Sequence, residues 1–227
     1  MKKQILKVAG ASFICFLLQG LTWHVQAQAP KTRLRAVNRV VSIDKSSKVI
    51  RLNEADGVGI AWILGKGFTT GEIEFDVKGI DKYQGSFLGL AFHGADDSTY
   101  EAVYFRPFNF RATDSLRKSH AVQYISNPHY DWPILRERFP GKYEMPVSPD
   151  IDPNGWFHVK LVLLAKSVRV YINSNKVPVL TISPLRRSRG KMIGYWVGNG
   201  SGGEWKNLYI KKRINQARPE KGFNAPG

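Results

Sequence analysis

The chain has 227 residues, of which 34 are Lys or Arg and 18 are Asp or Glu, so its net charge is +16 at pH 7. Its one cysteine, Cys15, excludes an intramolecular disulfide, and an apolar core must therefore hold the fold. The basic residues are spread along the chain without helix-turn-helix, zinc-finger or RNA-binding patterns. We predict a basic surface that attracts acidic partners and does not bind nucleic acid.

Residues 1–27 have the composition of a secretory signal peptide. Three lysines precede an apolar run over residues 8–21, and small residues around Ala27 suit a signal peptidase. The run is shorter than the ~20 residues of a membrane-spanning helix. We expect cleavage after Ala27, which would lower the net charge from +16 to +13 by removing the three lysines. The expected location is secreted or periplasmic, in a bacterial envelope, without membrane contact after cleavage.

Beyond this segment, almost every readable stretch alternates apolar and polar residues with period two, as β-strands do. Clusters of Gly, Asn and Asp separate these stretches at turns. About twelve strands are predicted, at residues 37–43, 48–52, 58–63, 71–78, 86–93, 99–106, 120–126, 156–164, 167–173, 177–182, 191–198 and 204–211. We therefore predict one all-β antiparallel sandwich, or jelly roll, over residues 37–212. A flexible segment at 28–36 precedes it, and a loose tail at 213–227 follows it.

Two long polar insertions, residues 107–119 and 127–155, interrupt this rhythm. They contain aromatic residues, and such a composition argues against disorder. Loops of this length in a compact domain are commonly functional. We predict ordered loops that pack over one edge or face of the sandwich, with a short helical turn at residues 132–139.

An acid row, defined as Glu72, Glu74 and Asp76, occupies alternate positions of the strand predicted at 71–78. Alternate residues of a strand share one face, so the three carboxylates point the same way. Retaining glycosidases use two carboxyl groups about 5–5.5 Å apart as nucleophile and acid/base. Alternatively, the acid row is the solvent-exposed face of an ordinary strand, and we favour this interpretation.

The order Glu-Ile-Glu-Phe-Asp resembles the acid-x-acid-x-acid strand of the family-sixteen glucanases and laminarinases. In that family Asp lies in the middle and Glu ends the motif, whereas here the two are exchanged. The resemblance implies a glycoside hydrolase, with Glu74 or Glu72 as nucleophile or base and Asp76 as acid.

A wider resemblance covers about residues 58–211. It rests on four stretches: GEIEFDVKG, SFLGLAFHGADDSTYEAVYFRPFNF, GWFHVKLVLLAKSVRVYINS and GKMIGYWVGNGSGGEWKNLYI. These are similar to the concanavalin A-like lectin/glucanase (laminin G-like) modules, near the bacterial 3-keto-disaccharide hydrolase-type domains. The resemblance implies a concanavalin A-like β-sandwich. It leaves the activity open, because such modules include enzymes, lectins and spacers.

Candidate sugar-binding residues cluster in the middle of the chain. On the strand predicted at 86–93, Gly89 and Ala91 are expected to face the same way as His93 and to leave room above the sheet. Aromatic rings stack on sugars, and planar amides and guanidinium groups bind paired hydroxyls. The predicted set is His93, Tyr104, Arg106, Asn109, His120, Gln123, Tyr124 and Trp132. Trp196 is expected to pack in the core.

The segment Asp150 to Gly155 imitates the first half of a calcium loop. A calcium loop closes with a bidentate Glu, but this chain has Leu161 at that position, so the ligand is missing. The histidines show no short metal-ligand spacing. We predict no cofactor and no metal site, and calcium is an alternative without support.

We therefore predict an exported domain that binds carbohydrate, including acidic polysaccharide, on its concave sheet face. The alternatives are a glycoside hydrolase that uses the acid row and a non-catalytic basic module with a protein-binding or structural role. The sequence determines neither the oligomeric state nor the surroundings of the acid row.

Overall fold

The computed structural model describes residues 33–185 and 190–213. The predicted signal peptide and all but the first residue of the predicted tail lie outside the described residues. The described residues form fourteen strands: β1 (Leu34–Val37), β2 (Val41–Ile43), β3 (Ile50–Leu52), β4 (Gly59–Ile63), β5 (Gly71–Lys78), β6 (Leu88–Gly94), β7 (Glu101–Phe105), β8 (Val122–Ser126), β9 (Glu144–Met145), β10 (Phe157–Leu163), β11 (Val168–Ile172), β12 (Leu180–Ile182), β13 (Met192–Val197) and β14 (Gly203–Lys212). Two α-helices, α1 (Ser115–Ser119) and α2 (Trp132–Arg138), and a 3-10 helix (Pro107–Asn109) complete them.

The strands form two seven-stranded sheets. Sheet A has the order β1-β4-β13-β6-β7-β8-β9, and sheet B has the order β12-β11-β10-β5-β14-β3-β2. Every pair of neighbouring strands is antiparallel. The prediction of an all-β antiparallel sandwich is confirmed.

Aromatic contacts between the sheets show which face of each strand enters the core. Phe105 on β7 and Phe157 on β10 meet with their ring centres 5.1 Å apart, and Tyr195 on β13 lies 5.3 Å from Trp205 on β14. Side chains alternate along a strand, so the residues next to Phe105 and Tyr195 point to the outer face of sheet A. On β5 the same alternation buries Ile73, Phe75 and Val77 completely.

The structure differs from the prediction at the beginning of the sandwich. The stretch predicted as one strand over 37–43 contains the last residue of β1 and the whole of β2, and these two strands belong to opposite sheets. The chain turns between them at Asn38, whose φ is +51°. Leu34–Val37 pairs with β4, so the prediction of flexibility over residues 28–36 is wrong from Leu34 onward. Alternation over these seven residues cannot report a change of sheet, because each part keeps the same period.

Arg39 fastens this crossing to two neighbouring loops. All five N–H groups of its guanidinium donate to backbone carbonyls, those of Asn38, Asp56, Gly57, Gly198 and Ser201. Gly59 packs against it, since a Cβ at that position would lie 2.2 Å from Cγ of Arg39. Arg39 is buried, and its desolvation lowers the pKa of the guanidinium.

The two polar insertions are ordered, and α2 confirms the predicted helical turn. Asp131 caps α2 by accepting a hydrogen bond from the backbone N–H of Trp132 at 2.7 Å. Leu135 is the buried residue of this helix. The second insertion also supplies β9, which pairs with β8 and was not predicted. Neither α-helix in the described part of the chain is long and apolar enough to cross a membrane.

Candidate functional site

A cleft of about 590 Å³ opens on the outer face of sheet A. Strands β7 and β13 supply its floor, and the 3-10 helix, α1, α2 and the turns around Gln84 and Asn199 supply its walls. The residues that line this cleft are Val58, Tyr83, Gln84, Phe87, Tyr104, Arg106, Phe108, Asn109, Arg117, His120, Asp131, Trp132, Arg136, Trp196, Gly198 and Asn199. Both polar insertions therefore contribute to the same site.

Strand register places the floor residues in one row across sheet A. Trp196, Gly89, Tyr104, Gln123 and Glu144 are direct partners on β13, β6, β7, β8 and β9. The rings of Trp196 and Tyr104 stack with centres 4.7 Å apart, although a whole strand separates their backbones. That strand carries Gly89 at this level, where a Cβ would lie 2.1 Å from the carbonyl oxygen of Val103. The glycine therefore permits both the close strand pairing and the ring stack above it.

Arg106 is held against this floor. Its guanidinium donates to the carbonyl oxygen of His120 at 2.7 Å, to the hydroxyl of Tyr104 at 2.7 Å and to Oε1 of Gln123 at 3.4 Å. The guanidinium carbon lies 4.9 Å from the ring centre of Tyr104 and 5.8 Å from that of Phe87. Only 5% of Arg106 is exposed, and this burial lowers the pKa of the guanidinium. Burial likewise raises the pKa of Tyr104 to about 12, so its hydroxyl stays protonated.

Two further arginines line the walls. Arg117, on α1, donates to the carbonyl oxygen of Phe108 at 3.0 Å and lies 4.7 Å from the ring centre of Tyr83. Arg136, on α2, donates to both carboxylate oxygens of Glu144, at 3.0 and 2.7 Å. Such a bidentate pair neutralises the charge of Arg136.

His120 lies at the end of the same charged group, with Nδ1 2.8 Å from Oε2 of Glu144. Desolvation outweighs this attraction and lowers the pKa of His120. The imidazole is therefore neutral at pH 7 and can exchange hydrogen bonds with a hydroxyl group.

Exposed aromatic surface lies at the rim of the cleft. Trp132 is 41% exposed, and the guanidinium of Arg136 stacks on its ring at 4.9 Å. Tyr83 is also exposed and meets Phe108 edge to face. Tyr104 and Trp196 are almost completely buried, so they support the floor and offer little ring surface. The accessible ring of this site is therefore that of Trp132, together with Tyr83.

The cleft brings together five of the eight predicted sugar-binding residues: Tyr104, Arg106, Asn109, His120 and Trp132. Gln123 lies beneath them, where it accepts from Arg106 and donates to the carbonyl oxygens of Tyr124 and Tyr143. It therefore orients Arg106 from below. Whether these residues bind a sugar stays a prediction.

His93 and Tyr124 do not line the cleft, and here the expectation is wrong. Both side chains are fully buried and converge on the carboxylate of Glu101, which bonds to Nδ1 of His93 and to the hydroxyl of Tyr124. Nε2 of His93 lies 2.6 Å from the carbonyl oxygen of Thr69. His93 has a φ of +52°, a left-handed conformation that breaks the alternation and turns its ring away from the face of Gly89 and Ala91.

The acid row lies on the other sheet. Glu72, Glu74 and Asp76 point outward from β5 in sheet B, because the residues between them are in the core. His158 on β10 lies between two of them, with Nε2 3.4 Å from Glu74 and Nδ1 2.8 Å from Asp76. Asn207 also donates to Asp76 at 2.7 Å. The structure therefore separates these acids from the cleft by the full thickness of the sandwich.

Cross-strand lysines accompany the acid row. Glu72 is directly opposite Lys211 on β14, Glu74 is opposite Lys160 on β10, and Asp76 is opposite Lys206 on β14. Opposite charges at such positions stabilise a sheet by roughly 0.2–1 kcal/mol per pair. In the described structure, however, the ammonium groups of Lys160 and Lys206 lie over the rings of Tyr171 and Trp156, at 4.9 and 4.3 Å.

Several residues of the cleft were not predicted from the sequence. Trp196 is buried in the core as expected, but its ring also lines the cleft, and Arg117, Arg136 and Asp131 lie in insertions without periodicity. A signal for Trp196 is present in the sequence, since Gly194 and Gly198 flank it at alternate positions of one strand face. No comparable signal exists for the arginines, because only the path of the loops brings them to the cleft.

Within residues 33–185 and 190–213, no group of three His, Cys, Asp or Glu side chains is placed to hold a metal ion. The carboxylate of Asp152 accepts from the backbone N–H of Asn154 at 3.0 Å, as in an Asx turn. Asp150 pairs with Lys118 at 2.9 Å. The resemblance of this segment to a calcium loop thus corresponds to a turn before β10.

No family model matches the chain, and no curated protein matches it in sequence. Solved structures do resemble it. The carbohydrate-binding module CBM66 from Bacillus subtilis superposes with a TM-score of 0.53 at 15% identity, over 78% of this chain and 94% of that one. A Bacillus subtilis protein of unknown function with a galectin-like fold gives 0.50 at 14% identity, over 77% and 87%.

The Ca²⁺-bound exoplasmic/lumenal domain of VIP36 gives a TM-score of 0.50 at 12% identity, over 82% of this chain and 87% of that one. Identities this low show the fold alone. This chain therefore has the galectin-like, jelly-roll sandwich fold of these proteins, as the resemblance to concanavalin A-like modules implies.

Proposed function

We propose that this protein is a carbohydrate-binding domain and that its glycan occupies the cleft on the outer face of sheet A. One observation carries the proposal: rings and planar hydrogen-bonding groups converge on one open cleft of about 590 Å³. Sugar sites combine these two features, because a pyranose presents apolar C–H faces to rings and paired hydroxyls to amides and guanidinium groups.

Individual residues fit this role. Trp132 offers an exposed ring at the rim, while Arg106, Asn109 and His120 supply fixed polar groups below it. Arg106 is preorganised by three hydrogen bonds and by the ring of Tyr104, so little side-chain entropy is lost when a ligand binds. The likeness to a carbohydrate-binding module from Bacillus subtilis supports the same class of ligand.

Two alternatives, glycoside hydrolysis by the acid row and a basic protein-binding or structural surface, are outcomes of the same test. The acid row lies on sheet B, whereas the cleft and Arg106 lie on sheet A. This position argues against catalysis by the acid row in the cleft and against an acid/base role beside Arg106. Export to the periplasm or the cell exterior also belongs to the proposal, as does the finer resemblance to 3-keto-disaccharide hydrolase-type domains. Calcium is not needed for this mode of binding.

The test is native electrophoresis through gels that contain neutral or acidic polysaccharides, at low and at high salt. We expect a glycan to retard the protein in a manner that survives high salt, because contacts in a cleft are screened less than surface charges. Trp132→Ala should raise the dissociation constant for the glycan at least about tenfold, as the loss of a stacking ring does at a binding hot spot. Tyr209→Ala is the matched control, since Tyr209 is an exposed ring on sheet B.

Equal retardation of Trp132→Ala and Tyr209→Ala would show that the ligand does not bind in the cleft. Retardation that disappears in high salt would leave the basic surface as the binding feature. Clearing of the embedded polysaccharide, abolished by Glu74→Gln, would instead make the acid row a catalytic site.

A further inference from the structure

We propose that the cleft contains an anion subsite in which Arg106 and Arg117 bind a carboxylate or sulfate ester carried by the glycan. This inference rests on the proposed function and names the chemical class of its ligand. It follows from the different hydrogen bonds and ion pairs of six arginines, Arg35, Arg39, Arg51, Arg106, Arg117 and Arg136.

Arg39 and Arg106 are both nearly buried, but their donors are used differently. All five N–H groups of Arg39 donate to carbonyl oxygens, so this guanidinium is complete within the fold. Arg106 donates three hydrogen bonds, all to neutral acceptors. Nε and one hydrogen of Nη1 thus donate to none of the described residues. Arg39 acts as a structural clasp, whereas Arg106 lines the cleft with donors to spare.

Arg106 and Arg117 also lack a counter-ion. No carboxylate in the described ranges forms an ion pair with either guanidinium, although Arg35, Arg51 and Arg136 each have one. Buried charges in proteins are normally paired, because removing a charge from water costs several kilocalories per mole unless a partner compensates it. An anion in the cleft would provide that partner for Arg106.

Two polar atoms of neighbouring cleft residues also lack hydrogen-bond partners among the described residues. Nε of Arg117 is buried and donates to no described acceptor, and Oδ1 of Asn109 is buried and accepts from no described donor. Asn109 is only 4% exposed and lines the cleft. An acidic sugar matches this set chemically, because its anionic group accepts from guanidinium donors and its hydroxyls can donate to an amide oxygen.

The remaining charges of the cleft do not cancel those of Arg106 and Arg117. Arg136 is neutralised by Glu144. Asp131 is the acidic residue of the lining, and its carboxylate already caps α2 by accepting from Trp132. The cleft is therefore positive by about one charge, and the two unpaired guanidinium groups are the strongest sites for an anion.

The experiment compares an acidic polymer with its neutral derivative. Polygalacturonate carries a carboxylate where its fully methyl-esterified form carries a neutral methyl ester on the same backbone, and dextran sulfate with dextran makes the corresponding comparison for sulfate. Dissociation constants are measured by affinity electrophoresis at high salt, for the natural sequence and for Arg106→Gln, Arg117→Gln and Arg169→Gln. Arg169 is exposed on β11 of sheet B, so its substitution removes one positive charge far from the cleft.

We expect at least one acidic polymer to bind at least about tenfold more tightly than its neutral partner, as the loss of a charge-assisted hydrogen bond predicts. Arg117→Gln should remove most of that preference, and Arg169→Gln should leave it unchanged. Arg117 is partly exposed, so this variant tests the proposal even if Arg106→Gln fails to fold.

Three results would overturn the inference. Equal binding of the acidic and neutral polymers would remove the anion subsite and leave carbohydrate binding intact. An acidic preference that Arg117→Gln and Arg169→Gln reduce equally would belong to the overall surface charge. Binding of none of the polymers would contradict carbohydrate binding itself, and the subsite with it.

Discussion

Nη2 of Arg106 donates a hydrogen bond to the hydroxyl oxygen of Tyr104 at 2.7 Å, while the guanidinium carbon lies 4.9 Å from the centre of the same ring. The ring stacks in turn on Trp196. One tyrosine therefore fixes the arginine in two ways, through its hydroxyl and through its π face. This contact makes the floor of the cleft rigid before any ligand arrives.

Removing the hydroxyl tests the first of these contacts. Tyr104→Phe leaves a donor of a nearly buried guanidinium without its acceptor, so we expect unfolding free energy to fall by about 1–3 kcal/mol. Urea denaturation at pH 7 measures the change. Tyr209→Phe, at an exposed ring of sheet B, should change stability by less than about 0.5 kcal/mol. An equal effect in both variants would mean that the Tyr104 hydroxyl contributes nothing specific.

The same residue predicts a loss of stability in alkali. Burial raises the pKa of Tyr104 from 10.0 to about 12. Between these two values the unfolded chain loses the phenolic proton and the folded chain keeps it, so stability falls as pH rises from about 10 to about 12. A shift of that size corresponds to on the order of 3 kcal/mol. The stability advantage of the natural sequence over Tyr104→Phe should therefore shrink across this range in urea titrations, and a constant difference would contradict the assignment.

Glu101 anchors a second polar group inside the sandwich. Its carboxylate contacts His93 and Tyr124, and all three side chains are fully buried. Glu101→Gln disturbs an acceptor that two buried groups share, and a buried group left without its hydrogen-bond partner costs about 1–3 kcal/mol. Glu204→Gln is the matched control, since Glu204 pairs with Arg51 on the exposed surface and should contribute about 1 kcal/mol or less. Urea midpoints that shift equally would show that the buried group is not a stabilising pair.

Arg39 should stabilise the fold through its hydrogen bonds and not through its charge. Arg39→Gln leaves several of its five carbonyl acceptors without a donor, and we expect a loss of roughly 2–4 kcal/mol. Arg169→Gln makes the same chemical change on the exposed surface and should be nearly neutral. Comparable melting temperatures for the two variants would contradict the role of Arg39 as a clasp between the sheets.

The acid row should be independent of the cleft. Glu74→Gln and Asp76→Asn act on the outer face of sheet B, so the affinity for a glycan in the cleft should change by less than about twofold, as expected for distant sites. Their effect on stability should stay below about 1 kcal/mol, because these carboxylates are partly solvated. A large loss of glycan binding in either variant would place the ligand on sheet B.

The strand alternation carried much of the fold prediction. Residues 71–78 were predicted as a strand and form β5 with those bounds, and its acids and apolar residues lie on the faces that the alternation assigns. The short β9 and the split between β1 and β2 were missed. Two residues are too few to show a period, and a change of sheet leaves the period unaltered.

The site was predicted only in part, for a related reason. Tyr104 and Arg106 lie two residues apart on one face, so the sequence already placed them together. His93 and Tyr124 were assigned by the same rule, yet a left-handed φ at His93 and the inward face of β8 direct both towards Glu101. Alternation reports which residues share a face, but one unusual backbone angle is enough to reverse it.

By itself, the sequence determined the fold class, the absence of an intramolecular disulfide, the large positive charge and the pairs of residues that share a strand face. Those properties follow from local periodicity and composition. Only the tertiary structure decided that Trp196 stacks on Tyr104 across Gly89, that Arg117 and Arg136 join Arg106, and that the acid row lies on the opposite sheet. Each of these depends on pairing between residues far apart in the chain, and the energy of such pairing is set by contacts that no local window contains.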